Sequence, residues 1–90
     1  VGRIRTRRVR RIAKRLLEIL EHPPEEFRPL LPDDYRMKFL ELRFGDSEEM
    51  WSEFKDLVRK LRPDITSKRF RNQVAGCLIR LVKLRRRGLL

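Results

Sequence analysis

The side chains of this chain best suited to chemistry are its cations, and the chemistry they suit is the holding of a polyanion. Arg3, Arg5, Arg7, Arg8, Arg11, Lys14 and Arg15 lie near one end, and Lys68, Arg69, Arg71, Arg80 and Lys83 near the other. Arginine's planar fork meets a phosphate through two hydrogen bonds and stacks on bases, so an arginine-dominated set reads as phosphate-binding. Asn72 sits within the second group, where its amide can reach a sugar or a base edge. Gly76 interrupts that group with a residue that has no side chain. A glycine costs a helix interior about 1 kcal/mol relative to alanine, so it wants a reason. Either another helix packs closely at Gly76 or a nucleic-acid backbone does.

The charge is unevenly distributed. Of 90 residues, 24 are Lys or Arg and 13 Asp or Glu, a formal net charge of +11. Residues 1–20 carry +7, residues 21–66 carry −4 and residues 67–90 carry +8. Two polycationic ends flank a mildly acidic middle, so the ends are the expected contact surface for nucleic acid. A solvated basic face is the plainer reading of either end alone; the concentration of arginine on two helical segments favours nucleic acid. No apolar run is long enough for a membrane span, and the N-terminal stretch lacks the apolar centre of a secretory signal. The single cysteine, Cys77, has no disulfide partner in the chain, and with one histidine, His22, it forms no zinc-ligand pattern. No acidic pair, phosphate loop or Ser/His/Asp ordering argues for catalysis, and Cys77 falls on an apolar helical arc. Neither enzyme activity nor a cofactor, metal or small-molecule substrate is expected.

These cations must be positioned by the elements that carry them. Residues 1–6 read as a flexible basic arm, with Thr6 as N-cap of a first helix over 7–21. Val9, Ile12, Ala13, Leu16, Ile19 and Leu20 recur at helical spacing, with arginines opposite. Pro23 and Pro24 end that helix. Residues 22–45 form a long proline-containing connection. Within it Tyr35, Met37 and Phe39 alternate like a strand but fit a short helical turn equally well; a lone strand has no partner, which favours the turn or irregular packing. A second helix spans 46–62, with Asp46 and Glu49 as a capping box or Ser47 as a rival cap, and an apolar stripe of Met50, Trp51, Phe54, Leu57, Val58 and Leu61. After a tight connection, a third helix spans 66–87. Thr66 is its expected N-cap, with Ile65 and Phe70 as a hydrophobic staple. Phe70, Val74, Cys77, Leu78, Leu81 and Leu84 share its expected core arc, opposite Arg69, Asn72, Gly76, Arg80, Lys83 and Arg87. The expected fold is all-α: a compact three-helix bundle, helix-turn-helix-like.

Two stretches together carry a family resemblance. The first is Gly2-Arg3-Ile4-Arg5-Thr6, followed by Val9-Arg10-Arg11-Ile12-Ala13-Lys14 and Leu16-Leu17-Glu18. The second is Ser67-Lys68-Arg69-Phe70-Arg71-Asn72-Gln73-Val74-Ala75-Gly76, followed by Leu78-Ile79-Arg80-Leu81-Val82. They resemble the archaeal and eukaryotic small-subunit ribosomal protein family numbered seventeen-e. The likeness covers about two thirds of the chain, counting a looser match over Trp51 to Val58. This sequence departs from the family at Cys77, where an aromatic is usual, and at Phe54-Lys55-Asp56, where Asn-Lys-Lys is usual. Its connection over residues 22–50 is also longer. The resemblance implies a non-catalytic ribosomal protein in the cytoplasm that binds small-subunit rRNA. Neighbouring ribosomal proteins or RNA would meet residues 22–50.

The residues expected to contact RNA are Arg3 and Arg5 from the arm; Arg7, Arg8, Arg11, Lys14 and Arg15 from the first helix; and Lys68, Arg69, Arg71, Asn72, Gly76, Arg80 and Lys83 from the third. Two other classes fit the residues. A helix-turn-helix DNA-binding protein would set the third helix in a major groove. A protein-interaction module would use the acidic middle.

Overall fold

A computed structural model describes residues 2–41 and 48–89, with side chains from residue 7 onward. In chain order it has α1 (Gly2–Glu21), a 3₁₀ turn at Arg28–Leu30, a π-helical turn at Arg36–Leu40, α2 (Glu48–Leu61) and α3 (Lys68–Arg86). Among the described residues there is no strand, and the expected all-α three-helix bundle is the observed one. The radius of gyration, 12.5 Å, matches the roughly 12 Å of a compact chain this long.

α1 is longer than the residue spacing predicts. Helix starts at Gly2, so residues 2–6 are helical where a flexible arm was expected, and Thr6 lies inside the helix without capping it. Arginine is a good helix former and no proline intervenes. Extending an existing helix backward gains one hydrogen bond for each residue fixed, which a Thr does not forbid. The C-terminal boundary is as expected: α1 stops at Glu21, ahead of the two prolines. Val9, Ile12, Ala13, Leu16, Leu17, Ile19 and Leu20 are all buried.

The long connection supplies core cover. Phe39 on the π-helical turn is 3 % exposed, and its ring meets Phe54 edge-on at 5.1 Å and 80°. Met37, by contrast, is 50 % exposed, so the strand-like alternation of Tyr35, Met37 and Phe39 does not persist as a pattern of burial. Lys38 reaches Glu53 of α2 at 3.9 Å, and Arg36 donates to the Glu21 carbonyl at 3.1 Å, closing the connection over the end of α1.

In α2 the stripe Met50, Phe54, Leu57, Val58 and Leu61 is buried as expected. The expected caps Asp46 and Ser47 lie outside the described residues. The turn after α2 is held by Arg62, which donates to both carboxylate oxygens of Asp64 at 2.9 and 2.8 Å. The cap of α3 differs from expectation. Ser67 is the N-cap, its Oγ accepting from the Phe70 amide at 3.2 Å, and Thr66 lies one residue outside. That register removes Ile65 and Phe70 from the staple positions. Instead Ile65 is buried, and its carbonyl accepts from Arg71 at 3.3 Å.

α3 is the central element, packing most extensively on α1 and next on α2. Its buried residues are Val74, Ala75, Leu78, Ile79, Leu81 and Val82. The buried arc is therefore rotated by roughly 80° from the expected one: Ala75, Ile79 and Val82 enter the core, whereas Phe70, Cys77 and Leu84 sit half-buried at its edge. A helix flanked on two sides buries a broader arc than a surface helix does. Arg8 lies against Phe70 at one end and Glu21 against Arg85 (3.4 Å) at the other, so α1 and α3 run in the same direction.

Candidate nucleic-acid interface

The polar face of α1 carries Arg7, Arg8, Arg11, Lys14 and Arg15, all exposed as expected. Arg10, not among the expected contacts, is exposed beside them. Its place on the helical wheel, next to Arg7 and Lys14, was the signal that could have included it. The ion pair Arg15–Glu18, at 3.4 Å with both side chains about two-thirds exposed, is worth little in water, so Arg15 is available to a stronger anion. Arg3 and Arg5 are on the first turns of α1, where only the backbone is described.

The contribution of α3 divides three ways. Lys68, Arg69 and Arg80 are exposed. Asn72 and Lys83 are half-buried on one flank of the helix. Arg71 is turned inward: its guanidinium bonds the Ile65 carbonyl, and its buried Nε has no hydrogen-bond partner. Its position in the first turn, above Val74, Ala75 and Leu78, puts it over the core. Arg71 therefore braces the turn between α2 and α3, unlike the exposed cations around it.

Gly76 has a similar outcome. A β-carbon placed on it would meet the Trp51 ring at 3.4 and 3.5 Å. Trp51, expected in the core, is half-buried across this glycine, with Lys55 over its ring at 5.4 Å. Gly76 therefore faces the Trp51 ring of α2, and this packing does not itself exclude a β-carbon. The gap admits a methyl group in ordinary van der Waals contact. Gly76→Ala is expected to stabilise the fold by about 1 kcal/mol through helix propensity, and Gly76→Leu to destabilise it by roughly 1–3 kcal/mol through overpacking. Denaturant midpoints read both.

Cys77 marks the seam between the two basic helices. Burial pushes its thiol above the ordinary range, and the charges of Arg10 from α1 and Arg80 from α3 pull the other way without prevailing. Because the thiolate is the reactive form, Cys77 in the folded protein should react with a disulfide reagent at pH 8 more slowly than in denaturant. An unfolded chain loses this proton more readily, so stability should decline as pH rises past the ordinary thiol range.

Among the described residues, no cluster of His, Cys, Asp or Glu could hold a metal ion, and no helix is long and apolar enough to cross a membrane. No protein-family model, curated protein or solved structure matches this chain.

Proposed function

We propose that this protein is a non-catalytic constituent of the small ribosomal subunit, in the cytoplasm, that grips rRNA through the neighbouring basic faces of α1 and α3. The observation that carries the reading is the pairing of the two polycationic segments. α1 and α3 are the most extensively packed pair of helices and run in the same direction, with Arg8 of α1 over the Phe70 ring of α3 at one end and Glu21 paired with Arg85 at the other. Side-by-side cations on packed helices repel one another, and a polyanion laid across them relieves that repulsion. Phosphate contacts of this kind position a protein without reading sequence, which suits folded RNA recognised by shape, phosphate and 2′-hydroxyl. The likeness of residues 2–18 and 67–82 to the ribosomal family supports the same target. Arg7, Arg8, Arg10, Arg11, Lys14, Arg15, Lys68, Arg69 and Arg80 are the working cations. Leu30 and Met37, 40 % and 50 % exposed on the connection, suit a neighbouring ribosomal protein.

The helix-turn-helix reading draws on the short turn between α2 and α3. It predicts sequence-specific DNA binding by α3 alone, whereas the cations here span two helices. Sedimentation separates the readings. The native protein should travel with small subunits at low salt and leave them at high salt. If it stays in the supernatant and footprints on duplex DNA, the ribosomal reading fails.

A further inference from the structure

Where α1 begins to run alongside α3 and the chain turns from α2 into α3, there is an open cavity of about 680 Å³. That lies within the range of small-molecule sites, roughly 300–1,000 Å³, and is a recess that the convex backbone of a paired helix does not fill. Resting on the RNA-binding reading above, we propose that this cavity captures one unpaired nucleobase, extruded from a bulge or loop of the bound RNA.

The lining supplies what an extruded base requires. Ile12 and Ile65 make an apolar floor, and both are buried side chains of the core. Phe70 is half-buried, and the Arg8 guanidinium lies over its ring at 5.5 Å. An aromatic ring paired with an arginine plane is the platform on which proteins stack unpaired RNA bases. Gln73, exposed in the cavity wall, carries both a donor and an acceptor for a base edge. Arg69 stands in the same wall, ready for the flanking phosphate. The one carboxylate present, Asp64, is held by Arg62 through two hydrogen bonds, which also keep it below the usual carboxylate range. Its charge is thereby matched and does not repel a phosphate at full strength. Arg8 and Arg69 also belong to the basic faces of α1 and α3, so a duplex lying on those faces passes the mouth of the cavity. A base that is already unpaired enters at the lowest cost in lost stacking and pairing.

The test compares two RNA hairpins of identical stem, one with a single-adenosine bulge and one fully paired, with free adenosine monophosphate as a third ligand. The native protein should bind the bulged hairpin roughly tenfold more tightly than the paired one, the scale of one base stacked on an aromatic ring. Phe70→Leu, which keeps apolar bulk, should abolish that preference while leaving affinity for the paired hairpin and its salt dependence unchanged. Gln73→Ala, at an exposed position that does not threaten folding, should reduce discrimination among A, G, C and U at the bulge. Equal binding of the two hairpins by the native protein overturns base capture, as does a preference that survives Phe70→Leu. Adenosine monophosphate binding as tightly as the bulged hairpin would make the cavity a mononucleotide site and also overturns it. Salt-sensitive binding of both hairpins without preference leaves the RNA-binding reading intact; binding of neither removes both proposals.

Discussion

Raising salt from about 50 to 200 mM is expected to weaken binding of a small-subunit rRNA fragment by roughly 10³–10⁵, if six to ten phosphates are engaged as on duplex DNA. Each cation that meets a phosphate releases a condensed counterion, so the logarithm of affinity falls linearly with the logarithm of salt. Replacing Arg7, Arg11 and Lys14 together by Gln should reduce the magnitude of that slope by about three, one for each lost contact. Replacing Arg59 and Lys60 on α2, both exposed, should leave the slope unchanged. The free protein should respond in the opposite direction. With a net charge of +11, its compact state is opposed by self-repulsion, so its thermal midpoint should rise as salt screens the two basic helices. Bound RNA should raise the midpoint further at low salt, because a ligand that binds only the folded state stabilises it. A flat salt response of binding would sink the phosphate-grip mechanism, whatever the affinity.

The largest effect on stability is expected at Phe54. Its side chain is fully buried on α2 and meets Phe39 edge-on. Phe54→Ala should cost about 3–5 kcal/mol, combining lost transfer energy with the cavity left behind. Against a total of roughly 5–15 kcal/mol for a small domain, that removes a large share of the stability and lowers the thermal midpoint markedly. Phe39→Ala should cost a comparable amount, and the double variant less than the sum. The pair contributes about 0.5–1.5 kcal/mol beyond its buried area. Denaturant titration of the three variants measures the coupling. Strict additivity would mean that the connection is not docked on α2 as described.

Much of this protein is determined by sequence alone. Helical periodicity in α1 and α2 placed Ile12, Leu16, Leu20, Phe54, Leu57, Val58 and Leu61 inside, because a helix with one buried face has one legible stripe. Proline fixed where α1 and α2 stop, since it removes a donor and constrains the residue before it. The polycationic character of both ends is likewise a property of the residues themselves. Tertiary structure decided the rest. α3 lies between two neighbours, so Ala75, Ile79 and Val82 are buried with Val74, Leu78 and Leu81, while Phe70, Cys77 and Leu84 of the expected stripe are left at the edge. That rotation aims Arg71 at the Ile65 carbonyl and sets Gly76 under Trp51, two outcomes that depend on contacts distant in sequence. The cavity by Phe70 is a product of the same packing. Arg8, Ile12, Arg62, Ile65 and Gln73 come from three parts of the chain, and only the parallel docking of α1 on α3 and the return from α2 bring them together. Local residue spacing encodes which side of a helix is apolar; which neighbour covers it depends on how the helices meet.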